Sequence, residues 1–284
     1  MRHMRLPLVF LALAMAGTMG TAHAGRSCEK RAITVASLER GLGLAQKTAT
    51  ALDASGARVV LLARAGQDLS KYRLRWSHLG LAYRSQDAQG QDAWRVVHKL
   101  NACGTAEAAI YRQGLGEFFM DDPWRYEAAW VIPTPEVQDK LTALLADPVR
   151  TTALHRKPYS IVSYAWGQKY QQSNQWAIET LAAAMEPSIA DVPDATTRAQ
   201  RAQAWLQFKG YQPTALNIGP LTRMGGRMTA ANVAFDDHPN EKRYADRIET
   251  VTVDSVFSWM QSSGVGGVAH RLDCADIACV PRSR

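Results

Sequence analysis

Residues 57–64, ARVVLLAR, form a short and almost continuous apolar run. That is the pattern of a strand buried on both faces, so the rest of the chain has to cover both sides of a sheet. Two further strands are expected at residues 76–83 and 93–100. The segment between them, SQDAQGQD at 85–92, is polar and contains glycine, which reads as a hairpin loop. A fourth strand is expected at 127–132, and others at 159–165, 230–235 and 248–253. Helices are expected over 33–52, 134–146, 174–185 and 195–208, with Pro135 just inside the start of the second. The glycine-rich remainder reads as loop. Helices and an antiparallel hairpin in this irregular order predict an α+β fold, an antiparallel sheet with packed helices, and not a doubly wound sheet.

The first 24 residues are set apart from this pattern. Arg2 and Arg5 precede an apolar run from Leu6 to Ala16, and a small-x-small end falls at Ala22-His23-Ala24. This reads as a signal peptide cleaved after Ala24, which makes the expected location periplasmic. The expected organisation is then a signal peptide at 1–24 and a single α+β domain at 25–284. Within it the core covers about 57–260, with a disulfide-bearing tail at 261–284. Losing Arg2 and Arg5 leaves 31 basic residues against 26 acidic, about +5 in place of +7. No later stretch reaches the roughly 18 apolar residues of a membrane helix, so no integral membrane segment is expected in the mature chain.

At 46% hydrophobic and 21% charged residues, the composition excludes a disordered tail and a collagen-like fibre. In an oxidising compartment the 4 cysteines read as structural bridges, with Cys274 and Cys279 paired and Cys28 and Cys103 remaining. Three connectivities are open to four cysteines. No C-x-x-C is present, and neither a metal site nor a cofactor is expected. The basic residues form no stripe interleaved with aromatics, so a nucleic-acid partner is not expected. Anionic cell-envelope polymers suit a modestly positive exported surface better.

Three places could carry chemistry. His78 and His98 fall on facing strands with matched parity, beside Trp76, which makes them cross-strand neighbours able to act as base or ligand, or simply as hydrogen-bonded core histidines. At the start of the 174–185 helix, Ser173 or Asn174 is a natural N-cap, while Gln175 and Glu179 lie on the stripe that faces inward. Such a helix start also suits an anion or a carbonyl oxygen. Last, Asp237 and His238 lie in the turn sequence DDHP at 236–239, either as an ordinary turn or as a carboxylate–imidazole pair that could join His78 and His98 in a metal site or a catalytic dyad.

The runs RAGQ (64–67), WSHLGLA (76–82), WRVVHKLN (94–101), QQSNQWAIE (171–179), FDDHP (235–239) and TVTVDSV (250–256) together resemble an uncharacterised bacterial family, domain of unknown function 2145. More distantly, the order of parts resembles circularly permuted papain-like proteins, such as the NlpC-type cell-wall peptidases. That resemblance implies a permuted papain-like core with N- and C-terminal extensions. It makes His78 the base and His98 its orienting partner, and it puts Gln175, after Asn174, where the cysteine nucleophile belongs. Glutamine has no nucleophile, and Ser173 is the nearest substitute.

Two functions are therefore expected to compete. One is an exported protein whose cysteine-free cleft, lined by His78, His98 and Gln175 with Asn174, Trp76, Glu179, Asp237 and His238 as ligand contacts, holds an amide- or peptide-containing envelope ligand. The other is an envelope amidase or peptidase with His78 as base, and Ser173 or a water activated by Asp237 and His238 as nucleophile.

Overall fold

The computed structural model describes residues 33–272, apart from 88 and 122. The signal-peptide reading and the pairing of Cys28, Cys274 and Cys279 fall outside them. The chain opens with α1 (Val35–Ala54), whose Thr34 side chain accepts from Ser37 N–H as an N-cap. Strand β1 (Val59–Ala65) is buried at all seven positions. It is followed by β2 (His78–Gln86), β3 (Asp92–Asn101), β4 (Ala108–Gly114), α2 (Leu115–Met120) and β5 (Arg125–Val131). Then come α3 (Pro135–Ala146), α4 (Pro148–Thr152), α5 (Ser173–Met185) and α6 (Ala195–Phe208). The last elements are β6 (Thr214–Asn217), α7 (Pro220–Thr229), α8 (Asn240–Tyr244), β7 (Arg247–Thr250), α9 (Val253–Ser262) and β8 (His270–Leu272).

Six strands make one antiparallel sheet in the order β4-β3-β2-β1-β5-β8, and β6 pairs with β7 separately. The fold is thus mixed helix and sheet, with helices packed on the sheet. Alternation along β1 divides the core in two. Val60 and Leu62 pack with Leu44 and Leu52 of α1 and with Phe118 and Phe119 of α2. Val59, Leu61 and Ala63 belong to the larger cluster with Leu141 of α3, Trp176 and Ile178 of α5, and Val256 of α9. Burying each such Leu, Val or Ile stabilises the fold by about 1.5–3 kcal/mol. A continuous apolar strand is stable here because neither face of the sheet is left to water.

Several expectations are corrected. Residues 159–165 are not a strand: beside the Glu107–Pro158 bridge the segment is irregular, and its N–H groups go to scattered partners, Tyr159 to Ala106 O, Ile161 to Asn232 O, Tyr164 to Asp237 Oδ2 and Ala165 to Glu249 O, in place of one neighbouring strand. Residues 230–235 are also irregular, tied to that segment by Ser160 Oγ, which donates to Ala234 O and accepts from Ala234 N–H. The segment at 220–229 is a helix where a loop was expected. Gly219 caps it, Pro220 occupies its first position, and Gly226 is a buried contact inside it. The strand expected at 248–253 ends at Thr250, because Thr252 caps α9 in a capping box with Ser255. Strands β4, β6 and β8 and helices α2, α4, α8 and α9 were not expected.

Candidate functional site

The hairpin brings the two histidines together. Its register pairs Leu81 with Val97 and Ala82 with Val96. Continued by one pair, it sets His98 across from Gly80 and places His78 on the diagonal. His78 Nε2 lies 2.8 Å from His98 Nδ1, and His98 Nε2 lies 2.8 Å from Gln113 Oε1. Since an amide oxygen only accepts, His98 carries its proton on Nε2 and receives one from His78 through Nδ1. Gly80 makes room for this: a Cβ there would stand 2.5 Å from Val96 Cγ1 and 3.3 Å from His98 Cβ. His98 is fully buried against Phe118, with ring centroids 5.2 Å apart. Burial first, and the Arg64 guanidinium second, push its pKa down to about 4, so it is a neutral core histidine above that pH. Arg64 itself is buried and reaches from β1 to the end of α2, where it bonds to Phe118 O at 2.6 Å and pairs with Asp121.

The second group of expected residues lies on the other face of the sheet. His98 and Lys99 are neighbours on β3 and point to opposite sides, His98 to Phe118 and Lys99 to Gln171 beside α5. The single cleft expected for His78, His98 and Gln175 is therefore divided by the sheet. Trp76 also departs from the expected face. It precedes the first residue of β2, where the pleat has not begun, and it packs in the α5 cluster while His78 contacts Phe118.

Helix α5 has no outward face: every residue from Ser173 to Ala184 is buried. Its N-cap is Gln172, whose Oε1 accepts from Asn174 N–H at 2.8 Å, and not Ser173 or Asn174. Ser173 is the first helical residue, and its hydroxyl donates to Lys99 O at 2.7 Å. The Gln175 amide is fully occupied within the protein. Its Nε2 donates to Ala165 O and Glu179 Oε1, at 3.3 and 3.2 Å, and its Oε1 accepts from Ser163 Oγ at 2.8 Å. Glu179 accepts from Arg156, Gln171, Gln175 and Gln203. Lys99 Nζ donates to Arg156 O and Gln171 Oε1, at 2.6 and 2.8 Å. Burial, and then the Arg156 charge, push the Lys99 pKa down to about 6. These residues lock the irregular 156–171 segment onto α5, and they leave Ser173, Gln175 and Glu179 committed to internal partners.

That segment in turn holds the third expected pair. Tyr164 N–H donates to Asp237 Oδ2 at 2.8 Å, and Asp237 Oδ1 faces His238 Nδ1 at 3.0 Å. The carboxylate accepts, so Nδ1 donates and the second ring nitrogen is the free one. His238 Nε2 is buried and has no hydrogen-bond partner among the described residues. The Tyr164 ring packs over it with centroids 5.2 Å apart, and Lys242, paired with Glu249, lies 5.5 Å from the Tyr164 ring. DDHP is thus a turn and a carboxylate–imidazole pair at once. Among the described residues no group of three or more His, Cys, Asp or Glu side chains could hold a metal ion. No described helix is long and apolar enough to cross a membrane.

Lys99, Arg156, Gln171, Gln203 and Arg64 were missed by the sequence reasoning. A signal was available for two of them. Arg64 ends the apolar run of β1, and Lys99 interrupts the apolar half of β3; a charge at such a place needs a buried partner.

The molecule is therefore a helix-flanked antiparallel sheet with buried polar groups on both faces, one beside α2 and a larger one around the buried helix α5. Its chain belongs to the bacterial family described as "uncharacterized protein conserved in bacteria" (DUF2145), which it matches over residues 51–260. That span runs from the end of α1 into α9 and takes in every residue of the three groups above. No curated protein and no solved structure gives a match.

Proposed function

We propose that this protein is an exported binding protein of the cell envelope that holds an amide- or peptide-containing ligand without cleaving it. The observation that carries this reading is His238 Nε2, a buried acceptor fixed in direction by Asp237 and left without a donor. A buried acceptor with no partner is unfavourable by about 1–3 kcal/mol. A ligand N–H, as an amide supplies, would satisfy it once the half-buried Tyr164 ring swings aside. The commitment of the Ser173 hydroxyl to Lys99 O, on the sheet face opposite His78, favours binding over acyl transfer. The N-terminal pattern supports export. The order of the His78–His98 hairpin and the Asn174-Gln175 helix start supports a permuted papain-like ancestry, with the histidine pair turned to the other face of the sheet.

A second reading rests on the same dyad. An imidazole oriented by a carboxylate, with its other nitrogen free, is the arrangement of a general base. In a hydrolase of envelope amides, His238 and not His78 would activate the water. One experiment separates the two. Soluble muropeptides are titrated into wild type and His238→Ala by calorimetry, and the mixtures are analysed by mass spectrometry. Binding that weakens at least about tenfold in the variant, with no new fragments, is the expected result. Fragments that disappear with His238→Ala would establish the hydrolase, and equal binding by both proteins, or by neither, would remove His238 from the function.

A further inference from the structure

A second place in the molecule has the features of a ligand site and shares no lining residue with the His238 dyad. A cavity of about 230 Å³ lies between the segment at 67–75, the start of β5 and the first turn of α9. Asp68, Arg73, Arg75, Trp124, Arg125 and Asp254 line it. Arg75 and Arg125 are held by Glu127, at 2.8 and 4.0 Å. Arg73 differs in two ways. Its backbone is left-handed, with φ 58° and ψ 31°, at the end of the 3-10 turn Ser70–Tyr72, where glycine is the ordinary occupant. Its guanidinium has no ion-pair partner among the described residues. A side chain kept at a strained position where it makes no ion pair or hydrogen bond among the described residues is better explained by something it binds than by the fold.

The opposite charge is supplied by Asp254. Its Oδ2 is buried and makes no hydrogen bond among the described residues. Burial raises the pKa of its carboxyl group, and the backbone amides of Asp254 and Trp76 oppose that rise. The cavity thus offers an unpaired cation at Arg73 and an unpaired acceptor at Asp254.

We propose that this cavity binds a small zwitterion of amino-acid or dipeptide size, with the ligand carboxylate on the Arg73 guanidinium and its ammonium group on Asp254 Oδ2. Trp124 covers the apolar part of the ligand, and the Glu127-bound Arg75 and Arg125 add to the positive potential at the carboxylate end. The volume suits such a ligand and is below that of most drug-sized pockets, which run from about 300 Å³ upward. The proposal does not depend on the His238 reading, and either can fail without the other.

Glycylglycine, N-acetylglycylglycine and glycylglycine amide serve as calorimetric probes of the full-length mature protein. Wild type is expected to bind the free dipeptide, and to bind each blocked form at least about tenfold more weakly. Arg73→Gly is the decisive variant because it removes the guanidinium and relieves the left-handed backbone together. It is expected to keep or raise Tm while losing glycylglycine at least about tenfold. Asp254→Asn is expected to lose the preference for the free amine over the acetylated form. No binding of the three probes by wild type, undiminished binding by Arg73→Gly, or an unchanged amine preference in Asp254→Asn would each overturn the proposal.

Discussion

Glu179 of α5 and Arg156 of the segment before it form a two-point ion pair inside the core, with Arg156 Nη2 3.1 and 3.3 Å from the two carboxylate oxygens. The side chains are 1% and 7% exposed, so water can replace neither partner. Removing the carboxylate alone strands a buried guanidinium beside the Lys99 amine. Glu179→Ala is therefore expected to lose about 3–5 kcal/mol of stability. Glu179→Gln, which keeps the shape and part of the hydrogen bonding, should lose less. Urea unfolding followed by circular dichroism compares them, and a loss under about 1 kcal/mol in Glu179→Ala would show that the pair is not buried as described.

Gln175 occupies the position where a papain-like relative would carry its thiol, yet it is 1% exposed and spends its whole amide on Ser163, Ala165 and Glu179. A cysteine placed there should be slow to alkylate. Gln175→Cys is expected to react with iodoacetamide in the native state far more slowly than after denaturation, and to be destabilised by about 2–4 kcal/mol, through the polar groups it leaves unpaired. Rapid native alkylation would instead reveal an open cleft at α5.

His98 makes the fold sensitive to acid. In the unfolded chain it takes up a proton near its ordinary value of 6.5, while in the folded protein it resists until about 4. The unfolded state therefore binds more protons across that window, and stability falls as pH drops from about 6.5 to 4, by roughly 3 kcal/mol from this group. His155, also lowered to about 4, acts in the same direction and is only half shielded. Urea midpoints near the two ends of the window should differ less for His98→Gln than for wild type. Equal differences would place the acid sensitivity elsewhere.

Gly80 is required by packing. A Cβ at this position would stand 2.5 Å from Val96 Cγ1 and 3.3 Å from Phe118 Cε2, and β-branched Val96 has few rotamers with which to yield. Gly80→Ala is expected to destabilise by about 1–3 kcal/mol. It should also disturb the His98–Gln113 hydrogen bond, seen as a shift of the His98 imidazole nitrogen resonances. A variant as stable as wild type would show that the α2 side of the sheet repacks freely.

Much of this architecture is legible in the amino-acid sequence, and the parts that are not have physical reasons. The β1 run, the hairpin and helices α3, α5 and α6 have long or strongly patterned segments, and their expected bounds fall within a few residues of those observed. Strand β4 escapes because only its first residue is buried and it reads as AAIYRQG, with no clear alternation. Helix α7 escapes because Gly225 and Gly226 imitate a loop. Residues 159–165 look like a strand because they are apolar enough, but their N–H groups go to separate partners, Ala106 O, Asn232 O, Asp237 Oδ2 and Glu249 O, and not to one neighbouring strand. The candidate site shows the same limit at larger scale. Parity correctly pairs His78 with His98, yet it gives relations only along strands, and does not say which helix covers which face. The separation of His98 from Gln175 is decided by where α2 and α5 dock.

Strand β8 has a consequence for the order of assembly. Strands β1 to β4 pair with sequence neighbours, whereas His270 pairs with Trp130 from about 140 residues further along, stacking its ring on the indole with centroids 5.6 Å apart. Short-range hairpins form early and distant pairings late. Until residues 270–272 arrive, the outer edge of β5 presents a row of unpaired N–H and C=O groups to any strand that drifts past. A chain interrupted before that point would carry an adhesive edge, so residues 270–272 act as a seal against self-association during folding.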